Sequence, residues 1–350
     1  MNGSESSRDA HKKSKNGMIA IIVVVGIAII AITVLLTNIF GHFKPVPTEA
    51  PIVISTNTVG SPTKTEISVT STPIPPTSTP IPPTATPSLS IGSTQISPMD
   101  GMVLLYVPAG EFTMGDTADA ALAECQKFRT DCQRDWFTNE EPPHTVTLDA
   151  YWIDQTEVTN AMYAKCVADG KCKVPSAFKS YTHPSYYDNP EFANFPVIYV
   201  DWNQAKSYCE WAGRSLPTEA QWEKAARGPE DWTYPWGNNP PGNTLANYNQ
   251  NKGDTTAVGS YPDGKSFYGA LDMAGNVWEW VADWYGAYPA TSETNPMGPA
   301  SGDPRVLRGG SWSYDVSSIR SALRGGVNPA DAGGNDGFRC SLPLLLEVSL

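Results

Sequence analysis

Histidine is scarce in this 350-residue chain, with four in all, and only His144 and His183 lie beyond residue 98. Neither sits in a zinc-hydrolase or nucleophile-elbow pattern, so two common hydrolase classes lack their sequence signal. No CxxC pair is present and no histidine is suitably spaced, which weighs against a cysteine-held zinc. Positive charge is also short: 24 Lys and Arg stand against 36 Asp and Glu, for a net charge of −12. With no basic stripe to offset that balance, nucleic acid is excluded as a partner.

Charge is missing altogether from residues 18–40, MIAIIVVVGIAIIAITVLLTNIF. As a helix this run spans roughly 34 Å, enough to cross a bilayer core. A buried globular helix of that length would show a polar face, and this run shows none. Arg8, Lys12, Lys13 and Lys15 precede it, which places residues 1–17 in the cytoplasm and everything after residue 40 outside. A cleavable signal peptide is the rival reading, but its apolar core would be shorter and would end at a small-residue cleavage site. The expectation is a single-pass membrane protein anchored by residues 18–40. Residues 41–98 are rich in Pro, Thr and Ser, as in PTSTPIPPTATP, and have too little apolar surface for a packed core. They read as an extended stalk, either a plain spacer or one carrying O-linked sugars.

The folded part is then residues 99–346. Its cysteines, Cys125, Cys132, Cys166, Cys172, Cys209 and Cys340, are the only six in the chain. Outside the cytoplasm an even count reads as disulfides. Close spacing favours Cys125 with Cys132 and Cys166 with Cys172, leaving Cys209 with Cys340, although spacing alone does not fix connectivity. MVLLYVPAGEFTMGD holds two short β-like runs, and HTVTLDAYWID alternates as strands do. A helix is expected from about Asn160 to Gly170. Two more open on the capping-box spacings Asp201/Gln204 and Thr218/Gln221. TAVGSY, residues 256–261, reads as a further short strand. Glu140 and Glu141 read as solvated neighbours in a polar loop.

Several motifs together resemble the formylglycine-generating enzyme, or sulfatase-modifying factor, family. They are residues 102–115, PHTVTLDAYWIDQTEVTNAMY, PVIYVDWNQAKSYCEWAGRSLPTEAQWEKAARG, YPWGN, GNVWEWVADWY and RVLRGGSW…GFRC, in family order. The resemblance covers nearly all of residues 99–343 and implies an irregular, loop-rich α+β fold related to C-type lectins. It also implies copper(I) held by two cysteines, the first three residues after the Ser of GGS. Here those places hold Tyr314 and Ile319. Neither side chain replaces a thiolate, so copper is not an expected cofactor. Ser311 and Trp278 match family positions near the oxygen site. Calcium is an expected cofactor. Carried residue by residue, one family site falls on Asp272, Gly275, Val277 and Glu279, and a second on Asn247, Tyr248, Asp254 and Thr256. A carboxylate capping a turn is the plainer account of the first set. Trp278, Trp280 and Trp284 suggest a sugar platform less than they suggest core aromatics.

Residues 313–336 contain no Lys, Glu, Gln, Met or Trp. Tyr, Ser, Gly and Asn, all present, suit adaptable binding loops. Trp312, Tyr314, Asp315, Arg320, Arg324, Asn328 and Asn335 are therefore the candidate ligand contacts, toward an extracellular protein or a small ligand. Three functions follow: a noncatalytic recognition module, the same module diversified by a retroelement through this segment, and an oxidase that dispenses with the cysteines.

Overall fold

The computed structural model describes residues 89–344. The expected membrane anchor at 18–40 and nearly all of the stalk lie outside the described residues. Among the described residues, no helix is long and apolar enough to cross a membrane. Strands run in order as β1 (Thr94–Ile96), β2 (Val103–Val107), β3 (Gly110–Met114), β4 (His144–Leu148) and β5 (Tyr151–Asp154). The second half adds β6 (Trp278–Trp284), β7 (Glu293–Thr294), β8 (Arg305–Arg308), β9 (Arg324–Val327), β10 (Asp336–Phe338) and β11 (Ser341–Pro343). Four helices intervene: α1 (Ala118–Gln126), α2 (Asn160–Ala168), α3 (Trp202–Trp211) and α4 (Glu219–Arg227).

The strands form three small sheets, ordered β1-β2-β5-β11, β10-β6-β8-β9 and β3-β4-β7. The alternation in HTVTL is realised in β4, where His144, Val146 and Leu148 turn inward. Both expected capping boxes are present. Asp201 accepts from the Gln204 amide and Thr218 from the Gln221 amide, while each glutamine side chain returns a bond to its cap. α4 buries Trp222, Ala225 and Ala226 in one core with Tyr151, Ile153, Val281 and Val306. α2 and α3 bring Tyr163, Tyr208 and Cys209 into another, with Trp280, Phe338 and Cys340. The mixed α+β reading therefore holds. The expected strand at 256–261 does not form. Its amides are taken singly: Thr256 by Asn276 Oδ1, Val258 by the Asn194 carbonyl and Gly259 by Asp272 Oδ2. A ladder needs a neighbouring strand, and two side chains and a single loop carbonyl occupy that position.

All six cysteines are paired, Cys125–Cys132, Cys166–Cys172 and Cys209–Cys340. The last joins α3 to the turn between β10 and β11 across 131 residues. Closing a loop of that size restricts the unfolded chain by about 5 kcal/mol in the chain-entropy picture. Replacing both Cys209 and Cys340 by alanine is expected to lower the unfolding free energy by about 3–5 kcal/mol in urea titration. The Cys125–Cys132 loop, closing 7 residues, is expected to cost less.

Candidate functional site

β8 ends at Gly309 and Gly310, both with positive φ. A Cβ on Gly310 would collide with the Ser318 carbonyl, so only glycine lets the chain fold back on itself here. The turn delivers Ser311 and Trp312 inward and Tyr314 outward, the last 44% exposed. The segment is pinned by a neighbouring loop. The Gln250 amide donates to the Trp312 carbonyl at 2.7 Å, and the Asn249 amide to that of Tyr314 at 2.6 Å. Asn335 Nδ2 donates to Ser311 Oγ at 3.3 Å, which lies 3.1 Å from Ser313 Oγ. Tyr314 meets Trp278 edge-on at 5.4 Å, and Trp312 lies 5.3 Å from Tyr181, a ring 75% exposed. Asp315 caps the turn at Ser317 and pairs with Arg129, which the Cys125–Cys132 loop presents. Ile319 is fully buried, packed with Tyr234, Tyr248 and Ala274. The result is a shallow surface of aromatic rings and short polar side chains.

Behind it lies a layer of buried charge. Glu279, on β6, accepts from Arg339 Nε, Arg339 Nη2 and Trp222 Nε1, each at 2.7 Å. Asp272 accepts from the Gly259 amide, and Asn276 Nδ2 donates to Glu157 Oε1 at 3.0 Å. Glu157 and Glu279 are fully buried and Asp272 is 6% exposed, so three carboxylates face the single Arg339 guanidinium. Burial pushes the Glu157 and Asp272 carboxyls upward, and in Glu157 the charges of Asp272 and then Glu279 push further. Among the described residues Glu157 Oε2 receives no N–H or hydroxyl donor, and its neighbour is the Asp272 carboxyl, with which it would share a hydrogen bond when one of the two holds a proton.

The two expected calcium sets converge. Asn247 and Gly275 are bridged, the Asn276 amide donates to the Asn247 carbonyl, and a Cβ on Gly275 would collide with that carbonyl. Within the sets, Glu279 is committed to Arg339 and Trp222. Val277 contributes its side chain to an apolar cluster with Tyr186 and Phe192, and Tyr248 packs on Ile319. Burial raises Asp254, but bonds from Ser180 and Thr182 outweigh it and hold the carboxyl below its usual range. Asn247 Oδ1 is buried without a partner. Among the described residues no three His, Cys, Asp or Glu gather closely enough to hold a metal by themselves. A hard cation here would draw on the orphaned Glu157 and Asn247 oxygens together with backbone carbonyls. The residues do not fit copper(I): a phenol and a butyl group occupy its two positions, and every cysteine sulfur is in a disulfide.

Three expectations need correction. Arg320 does not reach a ligand surface; it is 1% exposed and held by both oxygens of Glu140. Arg324 is likewise buried, paired through Nε and Nη2 with Glu219. Glu140, expected in solvent, is fully buried because it neutralises Arg320. Asn328 is exposed and caps its own turn at Ala330. Trp280 is buried and donates to the Val200 carbonyl, in keeping with a core role. Sequence reasoning missed Arg129, Tyr181, Glu157 and Asn276. Only Asn276 carried a signal, the turn-forming pair Gly275-Asn276, and the structure gives both residues a positive φ.

The model of the sulfatase-modifying factor enzyme 1-like domain matches residues 90–343. The chain belongs to this family. Among curated relatives, the formylglycine-generating enzyme of Mus musculus is 32% identical over 292 residues, covering 68% of this chain and 74% of the relative. PvdO from Pseudomonas aeruginosa is a solved structure with TM-score 0.58 and 26% identity, covering 73% of this chain and all of its own. Treponema denticola variable protein 1, with TM-score 0.54 and 23% identity, covers 72% and 99% and shares the fold.

Glu279→Gln leaves the Arg339 guanidinium buried against a neutral partner. It is expected to cost about 3–5 kcal/mol of unfolding free energy, read by urea titration.

Proposed function

We propose that this chain is a noncatalytic recognition member of the family, held outside the cytoplasmic membrane by an anchor at 18–40 and a stalk at 41–98. One observation carries the reading: Tyr314 replaces the first cysteine and is exposed on an aromatic surface, while all six cysteines are in disulfides. Exposed tyrosines offer large contact area at low conformational-entropy cost, with a hydroxyl for hydrogen bonding. Tyr181, Tyr314, the edge of Trp312, Asp315, Asn328 and Asn335 would form the contact surface, toward an extracellular protein or a small ligand. Ser311 and Trp278 support it from beneath.

A retroelement-diversified version of the same module is the second reading, favoured by the restricted residue set at 313–336. The buried positions Ser317, Ile319, Arg320, Ser321 and Arg324 limit where such variation is tolerated. A near-identical template repeat beside a reverse-transcriptase gene would establish it.

Two measurements test the main reading. Copper(I) and oxygen, added with a cysteine-containing sulfatase peptide, are expected to yield no formylglycine, and catalytic turnover would overturn the proposal. A binder recovered by screening is expected to lose about tenfold or more affinity on Tyr314→Ala and on Tyr181→Ala. Indifference to both substitutions would remove recognition from this surface.

We also propose calcium at the junction of Asp272, Gly275 and Asn247, with Glu157 as an added ligand. Support comes from three buried carboxylates facing one guanidinium, and from the adjacent Glu157 and Asp272 carboxyls, neither of which has, among the described residues, an ion-pair hydrogen bond of its own. The folded-state carboxyls of Glu157 and Asp272 are raised, so without a cation their contribution to stability is present at acid pH. It is lost as pH climbs through the folded values. Chelation at neutral pH is therefore expected to lower the melting temperature. Glu157→Gln should raise it in EDTA and abolish the calcium response. A melting temperature unmoved by EDTA would count against the site.

A further inference from the structure

A second concavity lies at the opposite end of β6 from Trp278, about 17 Å along the strand. It encloses about 290 Å³ between α4, β9 and the loop that follows β6. Its walls include Met114, Tyr288 and Pro299, and its polar floor is Glu219, Asp283 and Arg324. Those three charges are differently placed. Glu219 is saturated, accepting from Arg324 Nε and Nη2 at 2.8 and 2.6 Å, from Tyr288 OH at 3.0 Å and from Arg308 Nη1 at 3.3 Å. Arg324 directs Nη1 to the carbonyls of Gly286 and Asn139 at 2.7 and 3.3 Å. These bonds use four of its five N–H groups, leaving one on Nη2.

Asp283 is the exception. It is 4% exposed, and its Oδ2 accepts from the Glu219 amide at 2.7 Å. Among the described residues it makes no ion pair, and its Oδ1 receives no donor. Burial, and then the charge of Glu219, push its carboxyl up to about 7, against the smaller opposing pull of the Glu219 amide, then Arg324 and Arg305. The loop passes close over it because residue 298 is glycine: with φ +67°, its Cβ would stand 2.9 Å from Asp283 Oδ1. Glu293 adds a second, partly exposed carboxylate at the rim.

A buried carboxylate with one open oxygen, set among Tyr288 and prolines, is complementary to a cation with a carbon body; the Tyr288 ring itself already carries Arg324, 3.9 Å from its centroid, so the carboxylate and not the ring holds the charge. A hard metal ion would need several more oxygens than this apolar wall provides. We infer that the cavity beside Asp283 binds a small organic cation. A primary ammonium donates to Asp283 Oδ1, and a short aliphatic chain lies against Tyr288 and Pro299. The volume sits at the small end of ligand pockets, which limits the ligand to a few carbons. Apart from Arg324, which closes its floor, this cavity shares no residue with the surface around Tyr314 and does not depend on what that surface recognises.

The test is titration of the full chain, in lipid nanodiscs, with butylammonium and with 1-butanol, followed by ligand-observed NMR. Butylammonium is expected to bind saturably, and 1-butanol about tenfold or more weakly, because only the first supplies a charged donor. Asp283→Asn keeps an oxygen for the Glu219 amide and is expected to weaken butylammonium by about tenfold or more. Ala287→Trp, at an exposed rim position, is expected to block access and keeps the inference testable should Asp283→Asn not fold. No saturable butylammonium binding, equal binding of the alcohol, or wild-type affinity in either folded variant would overturn it.

Discussion

The Glu279–Arg339 ion pair is the contact on which most of this domain turns. Glu279 comes from β6 and receives Arg339 at both oxygens, with Trp222 of α4 as a third donor. Arg339 then reaches the carbonyls of Asp154 and Gln155 at the end of β5, and that of Leu271 before the glycine turn. One fully buried guanidinium thereby ties two sheets, a helix and a loop. Removing one partner of such a pair strands a charge in a medium that cannot solvate it, so the geometry is strongly enforced.

The same device recurs throughout. Arg214 joins Asp100 to Asp154, Arg308 joins Glu219 to Glu223, Arg324 reaches Glu219, and Arg320 takes Glu140. A domain with short strands and long connections has limited ladder hydrogen bonding to fix its loops. Bidentate arginine–carboxylate pairs supply direction as well as attraction, and three disulfides limit the unfolded chain. The loop at 311–319 is held at several points. Its two ends are a glycine turn and a buried Ile319, and its middle is hydrogen-bonded to residues 249 and 250. A surface supported in this way can change its outward side chains without losing its shape. The Asp283 cavity follows the same logic in reverse. Glu219 and Arg324 complete one another there, and the carboxylate without a counter-ion is the one left facing open space.

Much of the architecture was legible in the chain. Asp201/Gln204 and Thr218/Gln221 announced α3 and α4 because a capping box is a local arrangement complete within four residues. The alternation of HTVTL gave β4, and cysteine spacing pointed to the pairs observed. TAVGSY misled because short apolar alternation says nothing about whether a partner strand exists. The candidate site was legible in part. Tyr314 and Ile319 could be placed by counting from the GGS turn, and their outward and inward orientations follow from the fold. Arg320 and Arg324 could not be assigned, since an arginine in a polar segment reads alike whether it meets water or a carboxylate 180 residues away.

What the sequence determined by itself was local or covalent: capped helices, glycine-forced turns, an even set of cysteines, and the places of Tyr314 and Ile319 counted from the GGS turn. Tertiary structure alone decided which carboxylates are neutralised. That depends on contacts such as Glu140 with Arg320 and Glu279 with Arg339, made between segments far apart in the chain. It also decided that Glu157, Asp272 and Asp283 remain short of positive charge. A charge's environment is set by burial and by neighbours in space, and neither quantity is written in the order of residues.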